Sequence, residues 1–122
     1  MEKYLLDSVI LIDFLNKKPE AEAFLELAFQ DSAISVITRL EVLTGLSGER
    51  WEIGKVTLER FHTHEVGIQA ADLAADYRQQ YRWKLADSIQ AAIARLNNLL
   101  LVTRNTKDFS PSRHPFVLVP YK

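Results

Sequence analysis

Short apolar segments alternate with longer helical patterns along the whole of this 122-residue chain. The clearest short segment is residues 99–103, Leu-Leu-Leu-Val-Thr, a continuous apolar run that is typical of a strand buried on both faces of a sheet. Alternating strands and helices favour a parallel sheet covered by helices. Ligands bind beyond the carboxyl ends of such strands, so side chains at those positions are the first candidates for a functional site.

We predict a single α/β domain over residues 1–122, with a central parallel sheet of four to five strands flanked by helices. Strands are predicted at residues 3–6, 33–37, 63–66, 99–103 and 116–119. Helices are predicted at residues 8–16, 19–30, 49–62, 68–81 and 86–98, and a further helix begins at Thr38 and ends at Gly45 or Gly48. A chain of this length suits one domain with one core.

Composition excludes several classes of protein. The chain has no cysteine, which rules out disulfides, thiolate metal sites and cysteine nucleophiles. Disorder is not expected, because 48% of the residues are hydrophobic and the net charge is only −1. Acidic residues interrupt the apolar N-terminal segment, so it reads as neither a signal peptide nor a membrane helix, and we expect a cytoplasmic protein.

Five side chains with oxygen ligands follow predicted strands or begin predicted helices. Asp7 ends the first strand, and Glu41 lies in the first turn of the helix after the second strand. Asp87 begins the helix before the apolar run, and Asn105 and Asp108 follow that run. Most of these positions can converge at one edge of a parallel sheet.

A convergence of carboxylates has a definite chemistry. Hard divalent ions such as Mg²⁺ or Mn²⁺ prefer oxygen ligands, and neighbouring carboxylates repel one another unless a cation lies between them. A bound ion activates water and neutralises charge that develops on a phosphodiester. The chain has only three histidines, and His62 and His64 lie away from the acidic segments. Metal-assisted hydrolysis is therefore favoured over histidine-based catalysis.

Most of the acids also have a structural explanation. Residues 38–41 match a capping box, in which Glu41 would bind the backbone N–H of Thr38. Asp87 suits a helix N-terminus electrostatically, and turns commonly contain residues such as Asn and Asp. Asp7 is harder to explain, because burying an unpartnered carboxylate is costly. Asp13 is expected to be solvated or locally paired and is not a candidate ligand.

Three segments together resemble the PIN-domain family. YLLDSVILIDFL (4–15) is similar to its opening strand, acidic turn and apolar helix. SVITRLEVLTGL (35–46) resembles its second motif, a strand end followed by a helix that carries a glutamate. LADSIQAAIARLNNLLLVTRNTKDF (85–109) resembles its third and fourth motifs, and the three segments occur in the family's order and spacing.

The resemblance implies roles for the acidic residues. Asp7, Glu41 and Asp87 match the family's three core acids, and the fourth position falls on Asn105, with Asp108 as the alternative source of its carboxylate. The implied metal ligands are Asp7, Asp87 and Asp108. Ser8 keeps a hydroxyl that the family usually supplies with threonine, whereas Val9 replaces the usual asparagine.

The resemblance also implies an activity and partners. In its compact size the chain resembles the VapC-type toxins of the family, which use Mg²⁺ or Mn²⁺ to cleave single-stranded RNA and leave 5′-phosphate and 3′-hydroxyl ends. Such toxins form homodimers and are inhibited by a cognate antitoxin protein. Two alternatives remain at this point: a PIN-fold RNA-processing nuclease that is not a toxin, and a degenerate PIN-fold binding module. A phosphatase is not favoured, because residues 7–9 lack an Asp-x-Asp pair.

Basic and aromatic residues flank the acidic motifs. Four of them are candidate RNA phosphate contacts, with a solvated surface as the alternative: Arg82, Lys84, Arg104 and Lys107. Tyr81 and Trp83 interleave with the first two, which leaves base stacking, a dimer contact and core packing as explanations. Because the net charge is close to zero, any basic surface must be local.

Overall fold

Five short parallel strands form the centre of the fold in the computed structural model, which describes residues 1–122. The strands are β1 Tyr4–Leu6, β2 Ser32–Ser35, β3 His62–His64, β4 Leu100–Val102 and β5 Val117–Leu118. The helices are α1 Ser8–Leu15, α2 Pro19–Ala28, α3 Val36–Thr44, α4 Gly48–Leu58, α5 Ile68–Tyr81 and α6 Leu85–Leu96, with a 3₁₀ helix at Phe29–Asp31. The predicted α/β fold with a parallel sheet is confirmed.

The strand order β3-β2-β1-β4-β5 places β1 at the centre of the sheet. Tyr4 pairs with Ser32 of β2 on one side and with Leu100 of β4 on the other. Because every pairing is parallel, all five strands end at the same edge. The segments that follow β1, β2 and β4 therefore begin close to one another.

Each face of the sheet carries its own hydrophobic cluster. One cluster joins Leu5 and Leu101 to α5, α6 and the buried ring of Phe109. The other joins Leu6 and Val102 to residues of α1, α2, α3 and α4. Successive residues of a strand point to opposite faces, which explains why neighbours such as Leu5 and Leu6 belong to different clusters.

The boundary between β2 and α3 differs from the prediction. We expected a strand to Ile37 and a helix from Thr38, whereas β2 ends at Ser35 and α3 begins at Val36. Ser35 is the N-cap, since its Oγ accepts hydrogen bonds from the backbone N–H groups of Ile37 at 3.1 Å and Thr38 at 3.2 Å. The predicted capping box is therefore wrong, and Glu41 lies in the second turn of α3 rather than the first.

The predicted helix through Gly54 does form, and its glycine has a packing reason. A Cβ at Gly54 would lie 2.5 Å from Cδ1 of Leu46, so the missing side chain leaves room for Leu46 of the loop between α3 and α4 to pack against α4. None of the helices combines the length and apolar character that a membrane crossing requires.

A candidate acidic active site at the carboxyl edge of the sheet

Asp7 occupies the turn between β1 and α1 and is fixed by two hydrogen bonds. It is the N-cap of α1, and its Oδ1 accepts from the backbone N–H of Ser8 at 2.8 Å. Its Oδ2 accepts from the hydroxyl of Thr103 at 2.7 Å. Thr103 is fully buried directly after β4, the neighbour of β1. The pairing of β1 with β4 therefore orients the Asp7 carboxylate beyond the strand ends.

Asp87 lies in the first turn of α6 and faces the other acids. Partial burial raises the pKa of Asp87, and the negative charges of Asp7, Asp108 and Glu41 raise it further, to about 6. Lys84 opposes this rise with its positive charge. Four carboxylates from four separate segments of the chain are thus close enough for their charges to interact.

The loop after β4 is organised around Asn105. Its backbone N–H donates to the Thr103 hydroxyl at 3.0 Å, and its side-chain amide donates to Oδ2 of Asp108 at 3.2 Å. The backbone N–H of Asp108 donates back to Oδ1 of Asn105 at 3.4 Å. Asn105 therefore holds the Asp108 carboxylate, and it is Asp108 whose charge acts on Asp87. Asp108 therefore supplies the carboxylate of this loop, and Asn105 is its hydrogen-bond partner.

A buried polar network behind the carboxylates was missed in the sequence. Ser35 donates to Oε1 of Gln90 at 2.6 Å, Gln90 donates to the Thr38 hydroxyl at 2.6 Å, and Thr38 donates to the backbone carbonyl of Leu6 at 2.9 Å. All three polar side chains are buried. A glutamine on the apolar face of α6, one turn after Asp87, was the signal that could have revealed it.

The network joins the elements that carry the acids. Leu6 immediately precedes Asp7, whereas Thr38 lies three residues before Glu41 and Gln90 three residues after Asp87. Because residues three apart on a helix lie on the same face, each anchor supports the turn that carries an acid. The network therefore fixes α3 and α6 relative to the end of β1.

Asp13 and Arg104 form an ion pair separate from the acidic site. The pair bears on two expectations: that Asp13 is solvated or locally paired, and that Arg104 contacts RNA phosphates. Asp13 is buried rather than solvated, and Nε and Nη2 of Arg104 donate to its two oxygens at 2.8 and 3.2 Å. The Tyr121 hydroxyl also donates to Asp13, at 2.9 Å. Burial, together with this hydrogen bond to Asp13, raises the pKa of Tyr121 well above its usual range. The guanidinium group of Arg104 is thus paired with Asp13, which lies 91 residues away in the sequence.

The other three candidate phosphate contacts lie on the surface, whereas Trp83, which stands between two of them in the sequence, is buried. Arg82, Lys84 and Lys107 are exposed. Trp83 is buried against Phe109, with ring centroids 4.7 Å apart, so it is a core residue and the base-stacking interpretation is wrong for it. The half-buried ring of Tyr81 stacks on Trp83 at 4.5 Å.

Comparison with known families identifies the fold. The family described as PIN domain matches residues 4–111, which include all five candidate site residues. The chain belongs to the PIN domain family. This match confirms the resemblance found in the sequence. No curated protein matches the chain.

This PIN domain also resembles solved structures of toxin–antitoxin complexes. It is 36% identical to a chain of a toxin–antitoxin complex from Klebsiella pneumoniae, with a TM-score of 0.91, and the match covers 98% of this chain and 99% of that one. It is 25% identical to a chain of VapBC2 from Rickettsia felis, solved bound to a promoter DNA fragment, with a TM-score of 0.75 and coverage of 94% and 95%. FitAcB from Neisseria gonorrhoeae, at 24% identity, a TM-score of 0.77 and coverage of 96% and 97%, shares the fold. The matches from Klebsiella pneumoniae and Rickettsia felis, together with the family match, support a VapC-type member of a toxin nuclease family.

Proposed function

We propose that this PIN domain is a Mg²⁺- or Mn²⁺-dependent endoribonuclease that cleaves single-stranded RNA and acts as the toxin of a toxin–antitoxin pair. The observation that carries the proposal is that the parallel pairing of β1 with β4 brings together Asp7, which is hydrogen-bonded to Thr103, and the loop in which Asn105 holds Asp108. Glu41 and Asp87 lie near enough to these carboxylates for their charges to interact. Such a concentration of negative charge is unfavourable by itself and favourable around a cation.

The donor set fits a hard divalent ion. The converging groups offer only oxygen atoms, which Mg²⁺ and Mn²⁺ prefer. Asp7, Asp87 and Asp108 would hold the ion directly or through water. When bound, the ion supplies charge neutralisation and lowers the pKa of bound water. The outward lone pairs of Asp7 remain available, because Ser8 and Thr103 engage each carboxylate oxygen only once.

The other side chains have separate tasks in this proposal. Glu41 orients the attacking water and accepts its proton. The water attacks the phosphorus atom, the bond from phosphorus to the 3′ oxygen breaks, and the departing 3′ oxygen takes a proton from solvent water, so the products carry a 5′-phosphate and a 3′-hydroxyl. Asn105 and Thr103 hold Asp108 and Asp7 in place. These positions are fixed before substrate binds, which lowers the cost of reaching the reactive geometry.

The RNA substrate is proposed to lie across the exposed cations that flank the acids. Lys84 acts on the charge of Asp87, which places it beside the carboxylates. Arg82 and Lys107 are exposed in the adjoining loops. Lysine and arginine supply most of the affinity for phosphates. Arg104 is left out of this surface because Asp13 occupies its guanidinium group.

We also propose a cognate antitoxin and a homodimer. The antitoxin is supported by the 36% identical chain, which comes from a toxin–antitoxin complex. The homodimer is supported by an apolar groove beside α5 and α6, which Ala71, Ala75, Leu85 and Ile89 line and where Leu85 is 58% exposed. Light scattering on the purified chain tests the dimer, and relief of growth arrest by the product of an adjacent small gene tests the antitoxin.

Cleavage of labelled single-stranded RNA tests the nuclease proposal. The purified chain should cut the RNA with Mg²⁺ or Mn²⁺, and should stop cutting with chelator or after Asp7→Asn or Asp87→Asn. Asp76→Asn on the exposed surface of α5 is the matched control and should cut normally. Equal cleavage by the Asp7→Asn protein would reveal a contaminating nuclease. Absence of both Mn²⁺ binding and cleavage would favour the degenerate binding-module alternative, whereas tight Mn²⁺ binding measured by calorimetry would count against it.

A further inference from the structure

A second group of potential metal ligands lies outside the acidic site. One ligand atom each from Glu2, His62 and His64 lie within 4.8 Å of one another. Glu2 precedes β1 whereas Asp7 follows it, so the length of β1 separates the two groups. The two histidines are alternate residues of β3 and therefore project from the same face of the sheet.

Both imidazoles direct a nitrogen to the same carboxylate. Nε2 of His64 lies 2.9 Å from Oε1 of Glu2, and Nδ1 of His62 contacts Oε2. The two ring centroids are 4.4 Å apart. Burial alone would raise the pKa of Glu2, but the hydrogen bonds and charges of His64 and His62 hold it below its ordinary value. Glu2 is thus an anion whose only ion-pair partners are these two histidines.

We propose that Glu2, His62 and His64 form a Zn²⁺ site. Two imidazole nitrogens and one carboxylate oxygen are a zinc donor set, whereas Mg²⁺ prefers oxygen alone. Ligand atoms around a tetrahedral zinc ion lie roughly 3.3 Å apart at the usual bond lengths, so small side-chain rotations suffice to reach this geometry. The side chain of His62 is 60% exposed, which leaves a fourth position open to water.

Zinc at this site would link the edge strand β3 to the segment before β1. β3 is an edge strand of only three residues, and β2 separates it from β1. Glu2 lies 60 and 62 residues from its two histidine partners along the chain. An ion held by all three residues can bind only the folded state, so it should stabilise the fold. This proposal is independent of the nuclease proposal, since none of its three ligands belongs to the acidic site.

Zinc titration of the protein tests the site directly. The protein is used without a histidine tag and with its own N-terminus, and excess Mg²⁺ is present to occupy the acidic site. Calorimetry should show one Zn²⁺ bound per chain, and zinc at about 100 times its Kd should raise the melting temperature by roughly 10 °C. His64→Gln and Glu2→Gln should each weaken binding by on the order of 100-fold or more, since even indirect supports of a metal site are worth 10–100-fold.

The control is Glu65→Gln, which removes an exposed carboxylate beside His64 and should bind zinc as the unmodified chain does. Imidazole nitrogen NMR of the unmodified protein is a second readout that needs no variant. Zinc should shift the ring signals of His62 and His64 and leave those of the buried His114 in place. Absence of zinc binding, or unchanged affinity in the His64→Gln and Glu2→Gln proteins, would overturn the proposal.

Discussion

Replacing Asp87 with asparagine is expected to stabilise the cation-free protein at neutral pH while abolishing cleavage. Asp87 pays an electrostatic penalty in the folded state, because its carboxylate is partly buried and faces Asp7, Asp108 and Glu41. Asparagine keeps the shape of the side chain and removes its charge. The same substitution removes a proposed metal ligand, so stability and activity should move in opposite directions.

The size of the effect follows from the pKa of Asp87. A rise from 3.8 to about 6 corresponds to at most about 3 kcal/mol at about 1.4 kcal/mol for each pKa unit. Solvent screening of a partly buried group reduces this, and we expect a gain of about 1–2 kcal/mol for Asp87→Asn at pH 7.5. For a chain of this length that gain raises the melting temperature by roughly 5 °C.

The pH dependence has a definite sign. The folded pKa of Asp87 lies above its unfolded value, so the folded state holds the proton more tightly and the penalty grows as the pH rises from about 4 to 6. The advantage of Asp87→Asn should therefore be complete above pH 7 and close to zero near pH 4. Added Mn²⁺ should stabilise the unmodified protein and have little effect on the variant.

Urea denaturation in EDTA at pH 7.5 and at pH 4 measures these differences, with Asp76→Asn on the exposed face of α5 as the matched control. The control should change stability by only a few tenths of a kcal/mol at either pH. If Asp87→Asn destabilised the cation-free protein at pH 7.5, or behaved like the control, the carboxylates would not repel one another and the reasoning would be refuted.

Three other substitutions separate support of the fold from contact with RNA. Gln90→Leu should lower the free energy of unfolding by about 1–3 kcal/mol in urea and weaken Mn²⁺ binding, because Ser35 and Thr38 lose buried partners. An unchanged Mn²⁺ affinity would contradict the positioning role of Gln90, and Gln80→Leu on the exposed surface of α5 is the control. Arg104→Ala should lower the free energy of unfolding by about 2 kcal/mol, because it leaves the buried Asp13 carboxylate without its cation. Thermal melting measures the change, and an unchanged melting temperature would show that the ion pair does not stabilise the fold. Lys107→Ala should leave stability unchanged and reduce the slope of log affinity for single-stranded RNA against log salt by about 0.7; an unchanged slope would exclude a phosphate contact.

The placement of Asp7 and Asp108 at one edge of the sheet could be predicted because it depends on the parallel topology. Asp7 follows one strand and Asp108 lies in the loop after another, and parallel strands end at one edge. The start of α3 could not be placed correctly, since Ser35 and Thr38 both carry hydroxyls suited to a cap. Ser35 is the cap because Thr38 is drawn inward to the carbonyl of Leu6.

Side-chain pairs between residues far apart in the sequence could not be predicted from sequence patterns. Asp13 was expected to be solvated or locally paired, yet it is buried and its partner Arg104 is 91 residues away. The link between Gln90 and Thr38 likewise spans 52 residues. Such pairs depend on how helices pack across the sheet, and helical periodicity carries no information about that packing.

An anomalous diffraction map from a crystal soaked in Mn²⁺ tests the central claim most directly. We predict a manganese peak at the carboxyl edge of the sheet, within bonding distance of oxygen atoms of Asp7 and Asp87, with Asp108 bound directly or through water. Soaking the Asp87→Asn protein should abolish the peak. A map with no manganese at this edge, or with the carboxylates of Asp7 and Asp87 turned away from a shared ion, would contradict the account.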